Sequence, residues 1–239
     1  DFPAALEDAF GRLTAAATPG PGPVVVFGNA PCGDVNHVDV AHDRAQSGAV
    51  EAARVGTVLA AAAGASACRL MPDWEASGAG PDVRLDAHLA AADLPLRRPS
   101  DGEVAWARRV FAGDAAMSMV PGRGLEVVEA HRIVALADLW TGDTLRTEVQ
   151  AFAIGADLAI VGLPGEIFAE LGLDLRRRSP YRHTLVFGLS NEAIGYVPTS
   201  RAYAEGGYEP ASSRLQPGSG EHLVELALDA LTQLKRKGR

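Results

Sequence analysis

The chain has 239 residues, of which 47% are hydrophobic and 22% charged, and 22 basic against 30 acidic side chains leave a net charge of −8. That length buries a sizeable core, the composition excludes disorder, and no apolar run of about 18 residues is long enough for a membrane span. The acidic balance runs against nucleic-acid binding, whose footprint is a basic patch.

Asp1 is placed to cap a first helix that carries Leu6, Phe10 and Leu13 at helical spacing and ends in the Pro/Gly run 18–23. Val24-Val25-Val26-Phe27 is a short continuous apolar run and predicts a strand buried on both faces, followed by the Gly-rich turn 28–33 and Asp34. Residues 43–63 predict a helix. Residues 84–89 alternate as a half-exposed strand, 95–99 form a loop, and 103–111 a helix with Trp106 and Val110 on one face. A loop is expected at 117–123 and strands at 125–136 and 145–154. Residues 158–163 are an apolar strand that Pro164-Gly165 turns into a helix over 166–177, ended by Pro180. The run 184–189 is another strand, 190–208 a long polar loop, and the chain finishes in an amphipathic helix with Leu223, Leu226, Leu228, Leu231 and Leu234. The basic clusters Arg176-Arg177-Arg178 and Lys235-Arg236-Lys237 fall at helix C-termini, where cations complement the dipole. There is no internal repeat and no evident domain boundary. The fold class is α/β, with a mixed, partly parallel sheet flanked by helices in a single domain.

Three apolar runs end in polar turns: Asp34, Asn36 and His37 follow the first, Glu166 the second, and Ser190-Asn191-Glu192 the third. Ligands of open α/β sheets gather beyond the carboxyl ends of strands, so these groups are expected to share a cleft. The plainer alternative makes Asp34 a helix or turn cap and Glu166 a dipole partner. Tyr196, Tyr203 and Tyr208 lie in one loop, where they either serve a site or pin the loop with amphipathic rings. The six histidines, among them His37 and His42, have neither HxH nor HxxxH spacing. GxSxG, P-loop and GxGxxG motifs are absent. Cys32 and Cys68 are too few for a disulfide scaffold, and neither stands in a CxxC.

Taken together, Leu163-Pro164-Gly165-Glu166-Ile167-Phe168, Ser190-Asn191-Glu192-Ala193-Ile194-Gly195-Tyr196-Val197-Pro198-Thr199, Tyr203-Ala204-Glu205-Gly206-Gly207-Tyr208-Glu209 and the stretch from Val26 to Asn36 resemble the neutral/alkaline non-lysosomal ceramidase family. The resemblance is strongest to the bacterial ceramidase-like homologues. It implies a zinc-dependent hydrolase of a lipid amide, of N-acylsphingosine type or related, acting in sphingolipid metabolism and secreted or periplasmic. It implies zinc ligation by Glu166 and Tyr196, and a catalytic lining of Tyr208, Asn36 and Asp34, with Tyr208 serving the substrate or the developing oxyanion. Two departures accompany it. The two histidine ligands of the family lie upstream of the segment that this chain resembles, so the chain is expected to be the C-terminal portion of the catalytic domain, with an incomplete ligand set and little activity alone. Asn36-His37 also stand where ceramidases proper carry Ser-Pro, and this loosens the expected ceramide specificity. The alternative function is a non-catalytic ligand-binding or interaction domain on the same scaffold.

Overall fold

The computed structural model describes residues 1–15, 23–77, 83–112, 124–139 and 142–238; for residues 71–77 and 125 the backbone alone is described. The expected loop at 117–123 and most of the Pro/Gly run at 18–23 lie outside the described residues. The chain divides into two compact units, Asp1–Gly28 with Asn36–Val83, and Asn29–Val35 with Arg84–Arg239.

In the first unit, helices α1 (Phe2–Ala15) and α2 (Ala49–Ser77) pack on each other. Leu6, Ala9 and Ala60 are buried between them, with Phe10 and Val25 alongside. Gly56 permits the close approach, since a Cβ there would stand 2.6 Å from the Leu6 backbone nitrogen. The second helix starts and ends later than the expected 43–63, because its apolar alanine-rich pattern continues past Gly64. The expected strand at Val24-Val25-Val26-Phe27 does not form. Val24 and Val26 are each 89% exposed and no described strand pairs with the run, so it lacks the ladder that would satisfy its backbone.

The second unit is built on a four-stranded sheet of order β1 (Leu85–Pro95), β2 (Thr144–Ile154), β3 (Leu158–Gly162), β5 (His183–Phe187). The first two pairings are antiparallel and β3 pairs parallel with β5, so the sheet is mixed, as expected. Helix α5 (Ala169–Arg178) makes the crossover between the parallel strands. The long C-terminal helix α8 (Ser219–Lys237) packs on β1, β2 and α5. Its Leu223, Ala227, Leu231 and Leu234 meet Val149, Ala151, Ala159 and Val161 in one buried cluster, which is what the 3.6-residue pattern of that helix and the alternation of β2 require. Arg178 at the end of α5 grips Glu225 of α8 with two bonds of 2.6 and 2.7 Å.

Helices α3 (Asp101–Ala112) and α4 (Gly124–Asp138) pack through Ala107, Val110, Ala130 and Ile133. The expected strand at 125–136 is therefore a helix: its β-branched residues suggest a strand, but Val127, Ala130, Ile133 and Val134 fall on one helical face against α3. The expected helix at 166–177 starts only at Ala169, and Glu166–Ile167 instead form strand β4.

Leu231 is fully buried, whereas Leu173 on α5 is 61% exposed. Leu231→Ala is expected to cost about 2–5 kcal/mol of unfolding free energy in urea titration, and Leu173→Ala to stay within about 0.5 kcal/mol of wild type.

Candidate functional site

The polar groups gather where β3 and β5 end. After Leu163 the chain turns through Pro164 and Gly165, all three buried, and Gly165 holds φ +72°. A Cβ at Gly165 would stand 2.6 Å from the Gly195 carbonyl oxygen, so only glycine passes there. The turn is laced to the loop that follows β5: Gly165 N–H donates to the Glu192 carbonyl and Glu166 N–H to the Gly195 carbonyl, each at 2.9 Å. These bonds seat β4 (Glu166–Ile167) parallel to β6 (Tyr196–Val197), with Glu166 directly opposite Tyr196.

From the other side comes the segment Asn29–Val35. The Asn29 carbonyl accepts from Gly188 N–H at the end of β5, and Gly33 N–H donates to the Ile167 carbonyl at 2.8 Å. Gly33 is buried so closely that a Cβ would stand 2.2 Å from the Glu166 carbonyl oxygen. The next residue, Asp34, accepts the Ala169 N–H at 2.7 Å. It thus satisfies one of the free donors at the start of α5, where the dipole also favours an anion.

Tyr196 and Tyr208 meet edge to face, with ring centroids 5.8 Å apart and planes at 77°. Tyr208 begins the short helix α7 (Tyr208–Ser212). Burial raises the Tyr196 phenol above its ordinary value. The negative charge of Glu166, within interaction reach of that phenol, raises it further, as do Tyr208 and Glu209. The phenol is therefore held in its protonated, donating form beside a carboxylate. Cys32 is exposed as a residue, yet shielding of its thiol is the first cause that pushes it up, followed by the charges of Glu166 and Asp34. The arrangement offers a carboxylate, two phenols and a capped helix start around one short ladder.

The structure thus brings together Asp34, Glu166, Tyr196, Tyr208 and the loop after Leu189. Asn36 and His37 belong to the first unit. There the Asn36 side chain accepts from Val38 N–H, the His37 ring bonds the Gln46 carbonyl, and His42 pairs with Asp39 at 2.7 Å. Tyr203 is the loop pin of the three tyrosines: its hydroxyl donates to the Leu215 carbonyl at 2.8 Å and lies 2.9 Å from Ser213 Oγ. Ser213, fully buried, in turn donates to the Tyr196 carbonyl at 2.8 Å. Sequence reasoning missed Ser213 and the closeness of Cys32 to Glu166; the adjacency of Cys32 to Gly33-Asp34 is the only trace that either left in the sequence. A cavity of about 300 Å³ between α5 and β5, lined among others by Pro31, Gly172, Arg176 and Leu185, includes none of Glu166, Tyr196 and Tyr208. Among the described residues, no group of three or more His, Cys, Asp and Glu is placed to hold a metal ion, and no helix is long and apolar enough to cross a membrane.

No protein-family model and no curated protein sequence matches the chain. Among solved structures it is similar to the neutral ceramidase from Pseudomonas aeruginosa, with a TM-score of 0.57 and 19% identity over 99% of this chain and 41% of that one. A structure of a ceramidase complexed with C2 matches with a TM-score of 0.45 and 20% identity, over 79% of this chain and 35% of that one. The chain therefore shares the fold of a bacterial neutral ceramidase and spans about two fifths of its length.

The glycine contacts lead to a direct expectation. Gly33→Ala forces Glu166 and its ladder to shift, so thermal and urea unfolding should show a loss of about 1–3 kcal/mol. Gly11→Ala, inside helix α1 with nothing within 4 Å of its Cβ, should instead leave stability unchanged or raise it by about 0.5–1 kcal/mol.

Proposed function

We propose that this chain is part of a ceramidase-like hydrolase that cleaves a lipid amide, with Glu166 and Tyr196 as two ligands of a catalytic zinc. The observation that carries the reading is the register of β4 on β6, which sets Glu166 opposite Tyr196 on a fold shared with a neutral ceramidase.

The donor chemistry fits zinc as half of a set. A carboxylate and a phenol oxygen are acceptable ligands, and a tetrahedral site needs two more, which the described residues do not supply. When bound, the metal would supply a Lewis acid and a water that ionises near neutral pH. What the chain's own residues do is orient and donate. Asp34, anchored on the Ala169 N–H, holds the segment that carries it against the start of α5. Gly33 brings that segment into backbone contact with β4. Tyr208, 41% exposed and packed on the Tyr196 ring, keeps a hydroxyl that can donate to a substrate carbonyl as negative charge develops on it. A substrate-holding role for Asn36, which can both donate and accept, rests on the resemblance alone. A secreted or periplasmic location, and an N-acylsphingosine-type substrate, belong to this reading as proposals that rest on the resemblance.

Zinc content after dialysis, measured on the chain and on the full-length gene product, tests the ligand set. One zinc in the full-length product, lost in Glu166→Ala together with hydrolysis of a fluorogenic N-acyl amide, supports the reading. Tyr208→Phe should then lower kcat by about tenfold or more with zinc content unchanged, as for loss of a donor to a developing oxyanion. Unchanged hydrolysis in Glu166→Ala would refute it, and a zinc-free, inactive full-length product that binds a lipid amide would favour the non-catalytic alternative.

A further inference from the structure

Tyr208 stands on a helix too short to hold itself. α7 (Tyr208–Ser212) is little more than one turn, and isolated helices of that length are not stable in water. Among the described residues, none of α7 joins the apolar cluster on the sheet or the one between α3 and α4. A hollow of about 270 Å³ lies between α7 and α4, lined by Val128 and Glu129 on one side and by Tyr208, Ala211 and Ser212 on the other. Apolar packing therefore does little to fix the spacing of these two helices, and polar bonds take its place.

Two guanidinium groups supply them. Arg97, in the segment between β1 and α3, donates from Nη1 to the Pro210 carbonyl at 3.3 Å, and its backbone N–H donates to the Arg214 carbonyl at 2.8 Å. Arg132 of α4 donates from Nη1 to the Ser213 carbonyl at 3.4 Å. Carbonyls at a helix C-terminus lack intrahelical partners and carry the negative end of the dipole, so cations belong there. Ser213 joins the two phenols of the site. It follows α7 directly, and its Oγ donates to the Tyr196 carbonyl at 2.8 Å. A shift of Ser213 thus reaches Tyr208 through one turn of helix and Tyr196 through one hydrogen bond.

Arg132 occupies this place against an electrostatic penalty. Its side chain is only 9% exposed, its Nε and Nη2 are buried without a hydrogen bond, and Nη2 lies 3.6 Å from the Glu129 carboxylate. Burial first, then the charge of Arg97, lowers the guanidinium below its ordinary value, while Glu129, Glu103 and Tyr203 act the other way. Apolar replacement of buried charges is often neutral or stabilising, so a methionine of similar length would fill the space without that penalty. Arg132 thus contributes little net stability, yet it fixes the seat of two site residues. We propose that Arg132, aided by Arg97, is a positioning residue that sets the paired phenols of Tyr196 and Tyr208 through Ser213 and the C-terminus of α7. This inference rests on the reading that the two tyrosines serve the hydrolysis of an amide.

The experiment puts 3-fluorotyrosine in place of Tyr208 and reads its fluorine resonance in the chain, with Tm measured on the same samples. Arg132→Met should displace or split the resonance of the wild type while Tm stays within about 3 °C. Arg132→Lys, which keeps a charged donor, should return the resonance most of the way, and Arg97→Met should displace it less. In the full-length gene product Arg132→Met should lower kcat by about tenfold or more with KM within about twofold, as for a donor held out of place. An unmoved resonance in Arg132→Met would overturn the proposal, as would an unchanged kcat in an active full-length product. A Tm loss of about 5 °C or more that Arg132→Lys does not repair would also overturn it, since it assigns Arg132 to stability alone. The fluorine signal needs neither zinc nor substrate. It can fail while the hydrolase reading stands, and an inactive full-length product removes that reading without touching the signal.

Discussion

A parallel ladder of two residues a side cannot hold itself together, so Glu166–Ile167 and Tyr196–Val197 depend on what surrounds them. The surroundings are backbone atoms at closest approach. Gly165 leaves room for the Gly195 carbonyl, and Gly33 leaves room for the Glu166 carbonyl. Three chain segments far apart in sequence are laced by N–H···O bonds through these two glycines. The carboxylate and the phenol at the site are side chains of this ladder, and a displacement at either glycine moves both.

Support spreads outward from the ladder in layers. Ser213 holds the Tyr196 carbonyl and Tyr203 holds Ser213, so one tyrosine of the loop stabilises the seat of another. Ile167, Phe168 and Val197 join the buried cluster that α5 and α8 close over the sheet. The site therefore stands on the larger buried cluster of the second unit, where packing tolerates few shifts. Burial and the Glu166 charge both act against ionisation of Tyr196, and a cation beside the pair would act in the opposite direction.

The same sheet is treated differently on its two faces. One face is closed by leucines of α8, and the other carries Leu85, Leu89, Phe152 and Leu185. Glu148 of β2 accepts from the Asn191 side chain, which ties the sheet to the loop that carries Tyr196.

Sequence by itself determined the elements whose pattern is local. The leucine stripe of α8, the alternation of β2, the apolar runs of β3 and β5, and the Pro-Gly turn before Glu166 all follow from side-chain periodicity and backbone restriction, and they suffice for an α/β class with a mixed sheet. Tertiary structure decided whatever depended on a neighbour. Val24-Val25-Val26-Phe27 reads as a strand but finds no ladder; residues 125–136 read as a strand but become a helix because α3 offers a helical face to pack on; and Glu166 reads as helical but joins a strand because Tyr196 lies beside it. The conjunction of Asp34, Glu166, Tyr196 and Tyr208 was legible only as motifs in order. Their meeting in space rests on contacts between separate segments, Glu166 N–H on the Gly195 carbonyl and Gly33 N–H on the Ile167 carbonyl, and no local pattern encodes such a contact.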